Sequence, residues 1–119
     1  MRMRLEHDAR FEAAHWLPRV PEGHRCRRVH GHSYQVTTVV EGEVNPDTGW
    51  VIDYYVIQAA VEPVIAALDH RLLNEIDGLA NPTSEAIAAW IWSRLDGVLP
   101  GLCELVVHET HDTRCVIRR

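Results

Sequence analysis

The most chemically suggestive feature of this chain is a pair of histidines, His30 and His32, separated by one residue. In a β-strand both side chains would point to the same face, because strand side chains alternate with a period of two. A third imidazole, His15, ends another segment with the same alternation. Three neutral imidazoles can bind Zn²⁺ and leave one tetrahedral position free for water or substrate. The pattern therefore predicts a zinc site of the catalytic type, with His15, His30 and His32 as ligands.

Other interpretations of these histidines compete with the zinc site. The chain has 8 histidines, so a chance surface arrangement is the simplest of them. Surface histidines, however, have no reason to fall on the apolar faces of two strands. His7 shares the face of His15 and is a rival ligand, although a hydrogen-bonded core histidine fits its mid-strand position better. A non-haem iron site is disfavoured, because no carboxylate follows His32 between Ser33 and Thr38.

Cys26 lies on the polar loop before His30, with three residues between them. This cysteine is close enough to join the ligands or to work beside them as a thiolate. Arg25 and Arg27 flank Cys26, and nearby positive charge stabilises a thiolate. With Arg19 and Arg28 they form a local basic cluster on the chain. Such a cluster suits a small anionic substrate, and a solvated basic loop explains it equally well.

Two further positions carry groups suited to acid–base chemistry or ligand binding. Asp69 precedes His70, and a neighbouring carboxylate can orient an acid–base imidazole; a helix end with a solvated histidine is the alternative. Glu109 continues an apolar row of strand residues, and burial of an unmatched carboxylate costs several kcal/mol. A ligand edge with two N–H groups would match Glu109, as would a buried salt bridge to Arg10 or Arg71.

The composition limits the class of protein. With 119 residues the chain predicts a single domain, 1–119. The 12 Lys and Arg residues against 17 Asp and Glu give a net charge of −5, which argues against a nucleic-acid partner. Three cysteines without a Cys-x-x-Cys pair favour a reducing compartment. No apolar run suggests a signal peptide or a membrane span, so we expect a cytoplasmic protein with no membrane partner.

Hydrophobic periodicity predicts the order ββααββ. Two-residue alternation marks four strands, at 3–15, 30–43, 102–110 and 113–119. Between the second and third of them lie two helical stripes, one after the N-cap candidate Asp53 and one opened by Asn81-Pro82-Thr83. Pro63 should kink or end the first helix. The expected fold is α+β, a four-stranded antiparallel sheet with two helices on its apolar face.

Taken together, six segments resemble the 6-pyruvoyl-tetrahydropterin synthase family, and in particular its 6-carboxytetrahydropterin-forming branch in queuosine biosynthesis. The segments are Phe11-Glu12-Ala13-Ala14-His15, Cys26-x3-His30-Gly31-His32-Ser33, Gly49-Trp50-Val51-Ile52-Asp53, Leu68-Asp69-His70, Asn81-Pro82-Thr83-Ser84-Glu85 and Glu109-Thr110. The resemblance runs from about Phe11 to the C-terminus. It implies a T-fold (tunnelling fold), whose sheets join edge to edge into a homo-oligomer, usually a hexamer.

The resemblance also implies a role for each site residue. His15, His30 and His32 would hold zinc as the cofactor, and Cys26 would accept a proton from the substrate. His70 with Asp69 would complete the acid–base relay, and Glu109 would anchor the pterin ring. Further candidates for substrate binding are His24, Arg25 and Thr83.

The short Cys26–His30 gap resembles the carboxy-forming branch and implies its reaction. That reaction converts 7,8-dihydroneopterin triphosphate into 6-carboxy-5,6,7,8-tetrahydropterin, acetaldehyde and triphosphate. One alternative is elimination of triphosphate to a pyruvoyl product. Another is a zinc-binding assembly domain without catalysis.

Overall fold

The computed structural model covers residues 1–119. Its long elements follow the predicted order of two strands, two helices and two strands. The elements are β1 Arg2–His15, β2 His30–Glu43, α1 Tyr54–Ala66, β3 Arg71–Leu72, α2 Ser84–Leu95, β4 Leu102–Thr110 and β5 Thr113–Arg118. Single turns of 3₁₀ helix lie at Arg25–Arg27 and Leu73–Glu75.

The sheet has one strand more than the four expected, with the order β3-β1-β2-β4-β5. The added strand β3 is two residues long and runs parallel to β1, pairing Arg71 with Ala13 and Leu72 with Ala14. Alternation cannot be read from two residues. The sequence pattern therefore indicated only the end of a helix at this point.

The β1–β2 ladder fixes the positions of the histidines. Its antiparallel register runs without interruption from Arg2 opposite Glu43 to His15 opposite His30. No bulge intervenes, so the predicted face of each residue is preserved. His15 and His30 are direct neighbours, and His32 lies two residues further along the same face of β2.

The two helices cover one face of the sheet and bury a common core. The core joins strand residues such as Phe11 and Val36 to helix residues such as Ile57 and Ile91. Asp53 caps α1 by accepting a hydrogen bond from the Tyr55 N–H. Neither helix is long and apolar enough to cross a membrane.

Two details of the helices differ from the sequence pattern. Pro63 lies inside α1, which continues to Ala66 before it ends. In α2 the apolar spacing predicts that the inward-facing residues are Ile87, Ala88, Ile91, Trp92 and Leu95. Trp92 is only half-buried, whereas Trp90, which is not in that set, is only 7% exposed. The Trp90 indole N–H donates to the Asp77 carbonyl, and the Arg94 guanidinium stacks on its ring, so neighbouring groups bury this side chain.

Candidate metal centre and active site

The three predicted ligands meet at the end of the β1–β2 ladder. One ring nitrogen of each histidine lies within 4.8 Å of the corresponding nitrogens of the other two. The Nε2 atoms of His15 and His30 are 3.0 Å apart. His15 is 1% exposed, whereas His30 and His32 are half-buried and border a cavity. The cluster therefore has a buried base and an open side.

Main-chain carbonyls fix the tautomers of two rings. His15 Nδ1 lies 2.8 Å from the Pro82 carbonyl, and His30 Nδ1 lies 2.7 Å from the Arg28 carbonyl. A carbonyl only accepts, so in a neutral ring the proton resides on Nδ1 and Nε2 keeps its lone pair. Two lone pairs then face each other across the short Nε2–Nε2 gap. A cation between them would relieve this repulsion.

His32 and the electrostatics of the cluster agree with a metal ligand set. The Nε2 atom of His32 is buried without any hydrogen-bond partner. Burial is the largest cause that lowers the pKa of both His15 and His32, which favours the neutral form that binds metals. The residues present therefore fit a metal ion bound by three imidazoles, and an all-nitrogen set of this kind suits zinc.

Tyr34 packs against the buried side of the histidine cluster, a role that was not predicted from the sequence. Its side chain is fully buried and stacks on Phe11, with ring centroids 4.7 Å apart. The Tyr34 hydroxyl lies 3.3 Å from His15 Nδ1, and burial raises the pKa of this phenol. The signal was available, because Tyr34 follows His32 by two residues on the same face of β2.

Cys26 shares one cavity with the three histidines. The cavity has a volume of about 620 Å³ and is also lined by Glu109, Arg25 and Arg28. That volume lies in the range of small-molecule sites. The Cys26 carbonyl accepts a hydrogen bond of 2.8 Å from the Leu17 N–H, which ties the cysteine loop to the residues that follow His15.

The structure separates the basic residues of this loop into two groups. The Arg27 guanidinium donates to the carbonyls of Pro18 and Val20 and is committed to holding the loop. Arg25 and Arg28 line the cavity and form no ion pair.

Two of the predicted substrate-binding residues do not line this cavity. The His24 ring accepts the Cys26 N–H through Nδ1, so it caps the 3₁₀ turn. Thr83 accepts the Ala86 N–H and caps α2. Within one chain both residues shape the site instead of lining it, although Thr83 follows Pro82, whose carbonyl holds His15.

Glu109 points toward the histidines. Its Oε1 atom lies 3.5 Å from His15 Nε2 and 3.7 Å from His32 Nε2, and its side chain is 29% exposed. The alternative of a buried salt bridge with Arg10 or Arg71 is not observed, because neither arginine pairs with Glu109. The carboxylate thus remains available to a ligand in the cavity.

Asp69 and His70 form a dyad outside the Cys26 cavity. The Asp69 Oδ1 atom accepts the Glu12 N–H, and the Oδ2 atom lies 3.0 Å from His70 Nδ1. The Glu12 N–H is the largest cause that lowers the pKa of Asp69. His70 adopts a left-handed backbone with φ of 58°, which is unusual for a residue other than glycine. Its side chain is 78% exposed and borders a neighbouring cavity that also reaches His32.

Comparison with known proteins shows the family of this chain. The family model described as 6-pyruvoyl tetrahydropterin synthase matches residues 4–119. A 6-carboxy-5,6,7,8-tetrahydropterin synthase of Synechocystis is 45% identical over 84% of this chain and 81% of the relative. A dihydroneopterin monophosphate aldolase of Pyrococcus furiosus is 40% identical over 85% of this chain and 82% of the relative.

The fold itself has close counterparts among solved structures. A 6-pyruvoyl tetrahydropterin synthase of Caenorhabditis elegans matches with a TM-score of 0.92 and 24% identity, covering 100% of this chain and 96% of that one. This likeness confirms the predicted α+β T-fold. With the match over residues 4–119 and relatives of 40–45% identity, the chain belongs to the 6-pyruvoyl tetrahydropterin synthase family.

Proposed function

We propose that this protein is a zinc-dependent lyase of queuosine biosynthesis that converts 7,8-dihydroneopterin triphosphate into 6-carboxy-5,6,7,8-tetrahydropterin, acetaldehyde and triphosphate. The observation that carries the proposal is the meeting, in one cavity, of a three-histidine cluster, Cys26 and Glu109. A relative named for the carboxy-forming activity, at 45% identity, supports the same choice.

His15, His30 and His32 would hold the zinc ion, since one ring nitrogen of each converges with those of the other two and main-chain carbonyls hold His15 and His30 at Nδ1. When bound there, zinc would polarise the side-chain oxygens of a substrate and acidify the adjacent C–H bond. Hydrogen bonds from the rings to main-chain carbonyls orient such ligands and raise their basicity. The protein thus supplies a preorganised donor set on two paired strands.

The remaining cavity residues divide the work of binding and proton transfer. Cys26 as a thiolate would remove the side-chain proton of the substrate. Glu109 would accept two N–H groups of the pterin ring, which suits a carboxylate that has no cationic partner of its own. Arg25 and Arg28 are the free guanidinium groups of the cavity, and we assign the triphosphate to them.

The Asp69–His70 dyad would return protons to the substrate, but in one chain it borders a different cavity from Cys26. We therefore propose that a second copy of the chain brings its dyad to this Cys26. Open sheet edges favour such assembly: β3 covers β1 only at Ala13 and Ala14, so most of the β1 edge is unpaired, and β5 forms the other edge. We expect a homo-oligomer joined through these edges, in the form of a hexamer.

A second candidate activity has specific support. The relative of 40% identity is named dihydroneopterin monophosphate aldolase. Carbon–carbon cleavage of a monophosphate substrate needs the same kinds of group, a metal-polarised oxygen and a positioned base. Elimination of triphosphate to a pyruvoyl product is the third outcome that this site would permit.

Product identification by mass spectrometry tests these alternatives. The zinc-loaded protein is incubated separately with 7,8-dihydroneopterin triphosphate and with the monophosphate, and acetaldehyde is assayed in parallel. We expect 6-carboxy-5,6,7,8-tetrahydropterin and acetaldehyde from the triphosphate. A pyruvoyl product without acetaldehyde, or turnover of the monophosphate alone, would replace the proposed reaction. No turnover of either substrate would favour a non-catalytic zinc-binding domain.

A further inference from the structure

Asn74 holds both main-chain groups of Trp16 with one side chain. Its Oδ1 atom accepts the Trp16 N–H at 3.0 Å, and its Nδ2 atom donates to the Trp16 carbonyl at 2.7 Å. Asn74 is half-buried in the 3₁₀ turn Leu73–Glu75 that follows β3. A side-chain amide offers one acceptor and donors in the geometry of a peptide unit, so it can take the place of a strand partner.

This contact lies where the main-chain ladder stops. β3 pairs with β1 at Ala13 and Ala14, after which the chain turns into the 3₁₀ helix and leaves the strand direction. Trp16, just beyond the end of β1, would then have no neighbour on that side. The Asn74 amide supplies both missing hydrogen bonds and extends the pairing past His15.

Trp16 connects two parts of the candidate site. On its N-terminal side is His15, which is held independently by the Pro82 carbonyl and by its register with His30. On its C-terminal side is Leu17, whose N–H donates to the Cys26 carbonyl at 2.8 Å. Movement of Trp16 would therefore be transmitted to the cysteine loop more than to the histidine cluster.

We propose that Asn74 is a positioning residue that sets the place of Cys26 relative to the three histidines, acting through Trp16 and Leu17. The inference rests on the proposed role of Cys26 as the base. Asn74 and the Asp69–His70 dyad belong to one segment that is tied to the end of β1.

The test compares Asn74→Ala and Asn74→Asp with the control Glu75→Ala in the same turn. Glu75 is exposed and forms no ion pair. The aspartate variant has nearly the shape of asparagine but places a carboxylate oxygen against the Trp16 carbonyl. For each protein, bound zinc, hydrogen exchange of the Leu17 amide, kcat and KM are measured.

Both Asn74 variants should keep their zinc, and Leu17 exchange should accelerate about fivefold or more, the effect of one net hydrogen bond lost. We expect kcat to fall about 10- to 100-fold with little change in KM, as for a displaced catalytic group. Glu75→Ala should behave as the unmodified protein. If Asn74→Ala does not fold, Asn74→Asp alone decides the outcome.

Three results would overturn the proposal: normal Leu17 exchange in the folded variants, loss of zinc together with activity, or equal acceleration of exchange throughout β2. The first would show that Asn74 does not hold this loop. The other two would make its role structural. The exchange measurement does not depend on catalysis, so a failure of the proposed reaction would be recognised separately, by the absence of turnover in the unmodified protein.

Discussion

The Nε2 atoms of His15 and His30 face each other at 3.0 Å, while the Nδ1 atom of each ring contacts a main-chain carbonyl. For these two nitrogens to share a proton, one ring would have to be charged or give up its carbonyl contact. A metal ion satisfies both lone pairs at once and leaves the carbonyl contacts intact. The pair is therefore better explained as two ligands than as a hydrogen-bonded couple.

Removal of one ligand should empty the site. Protein purified without added metal should contain about one zinc per chain, as expected for a mononuclear centre. His30→Ala should lose most of that zinc, because two remaining imidazoles bind it weakly. Elemental analysis measures this directly, with His111→Ala as the control, since His111 is exposed and lies outside the cluster. Full zinc in His30→Ala would exclude His30 from the ligand set.

The metal-free protein should lose stability in mild acid. Burial lowers the pKa of His15 and His32 from the ordinary value of 6.5. Below about pH 6.5 the two histidines become protonated in the unfolded chain but stay neutral in the folded protein. Acid therefore favours the unfolded chain, and the melting temperature should fall as pH decreases. Above about pH 6.5 both histidines are neutral in the folded and in the unfolded protein, so the melting temperature should not change with pH.

This effect is separable from that of carboxylates with lowered pKa, such as Asp69 and Asp112, whose ordinary value is 3.8. Thermal melts between about pH 8 and pH 5 cover the histidine range alone. His32→Asn should make the curve less steep, because only the His15 contribution remains, whereas His111→Asn should leave its slope unchanged. A melting temperature independent of pH throughout this range would contradict the predicted shift.

Much of the site could be predicted from the sequence because it lies on strands whose alternation is regular. An uninterrupted register carries His15, His30 and His32 to one point, so spacing and face were sufficient. The contacts made by main-chain atoms and by short segments could not be predicted from the sequence. The Pro82 carbonyl that holds His15 comes from a residue 67 positions away, and no side-chain pattern marks a carbonyl acceptor.

The segment after α1 was the least predictable part of the fold. A two-residue strand and a single 3₁₀ turn carry no periodicity, yet they place the Asp69–His70 dyad and the Asn74 amide against β1. The left-handed conformation of His70 likewise has no sequence signal, since histidine is not the residue expected there. Tertiary contacts with Glu12, and not local propensity, determine this geometry.

Glu109 distinguishes pterin binding from a structural role. If its carboxylate accepts two pterin N–H groups, Glu109→Gln should weaken pterin binding by about 2–3 kcal/mol, because an acceptor is replaced by a donor. The melting temperature of the ligand-free protein should change little. Glu104→Gln on the same strand is the control, since Glu104 pairs with Arg4 and Arg118 and should not affect affinity. A large loss of stability with unchanged affinity would contradict the anchor role.

Mixed oligomers should reveal whether the site is shared between copies. Cys26→Ala and His70→Ala should each be nearly inactive as pure proteins. If one copy supplies the cysteine and another the dyad, unfolding and refolding the two variants together should restore part of the activity. Light scattering must show an oligomer in each case. A monomer with full activity, or no recovery in verified mixed oligomers, would place the relay within a single chain.

The most direct test of the account is the metal content and turnover of Cys26→Ala, measured on the same sample. We expect the three histidines to hold the metal while Cys26 carries out chemistry beside it. We predict about one zinc per chain, as in the unmodified protein, together with a fall in turnover of at least ~10²-fold, the usual loss for a positioned base. Loss of zinc would instead make Cys26 a fourth ligand of a closed site, and unchanged turnover would remove the cysteine from the reaction.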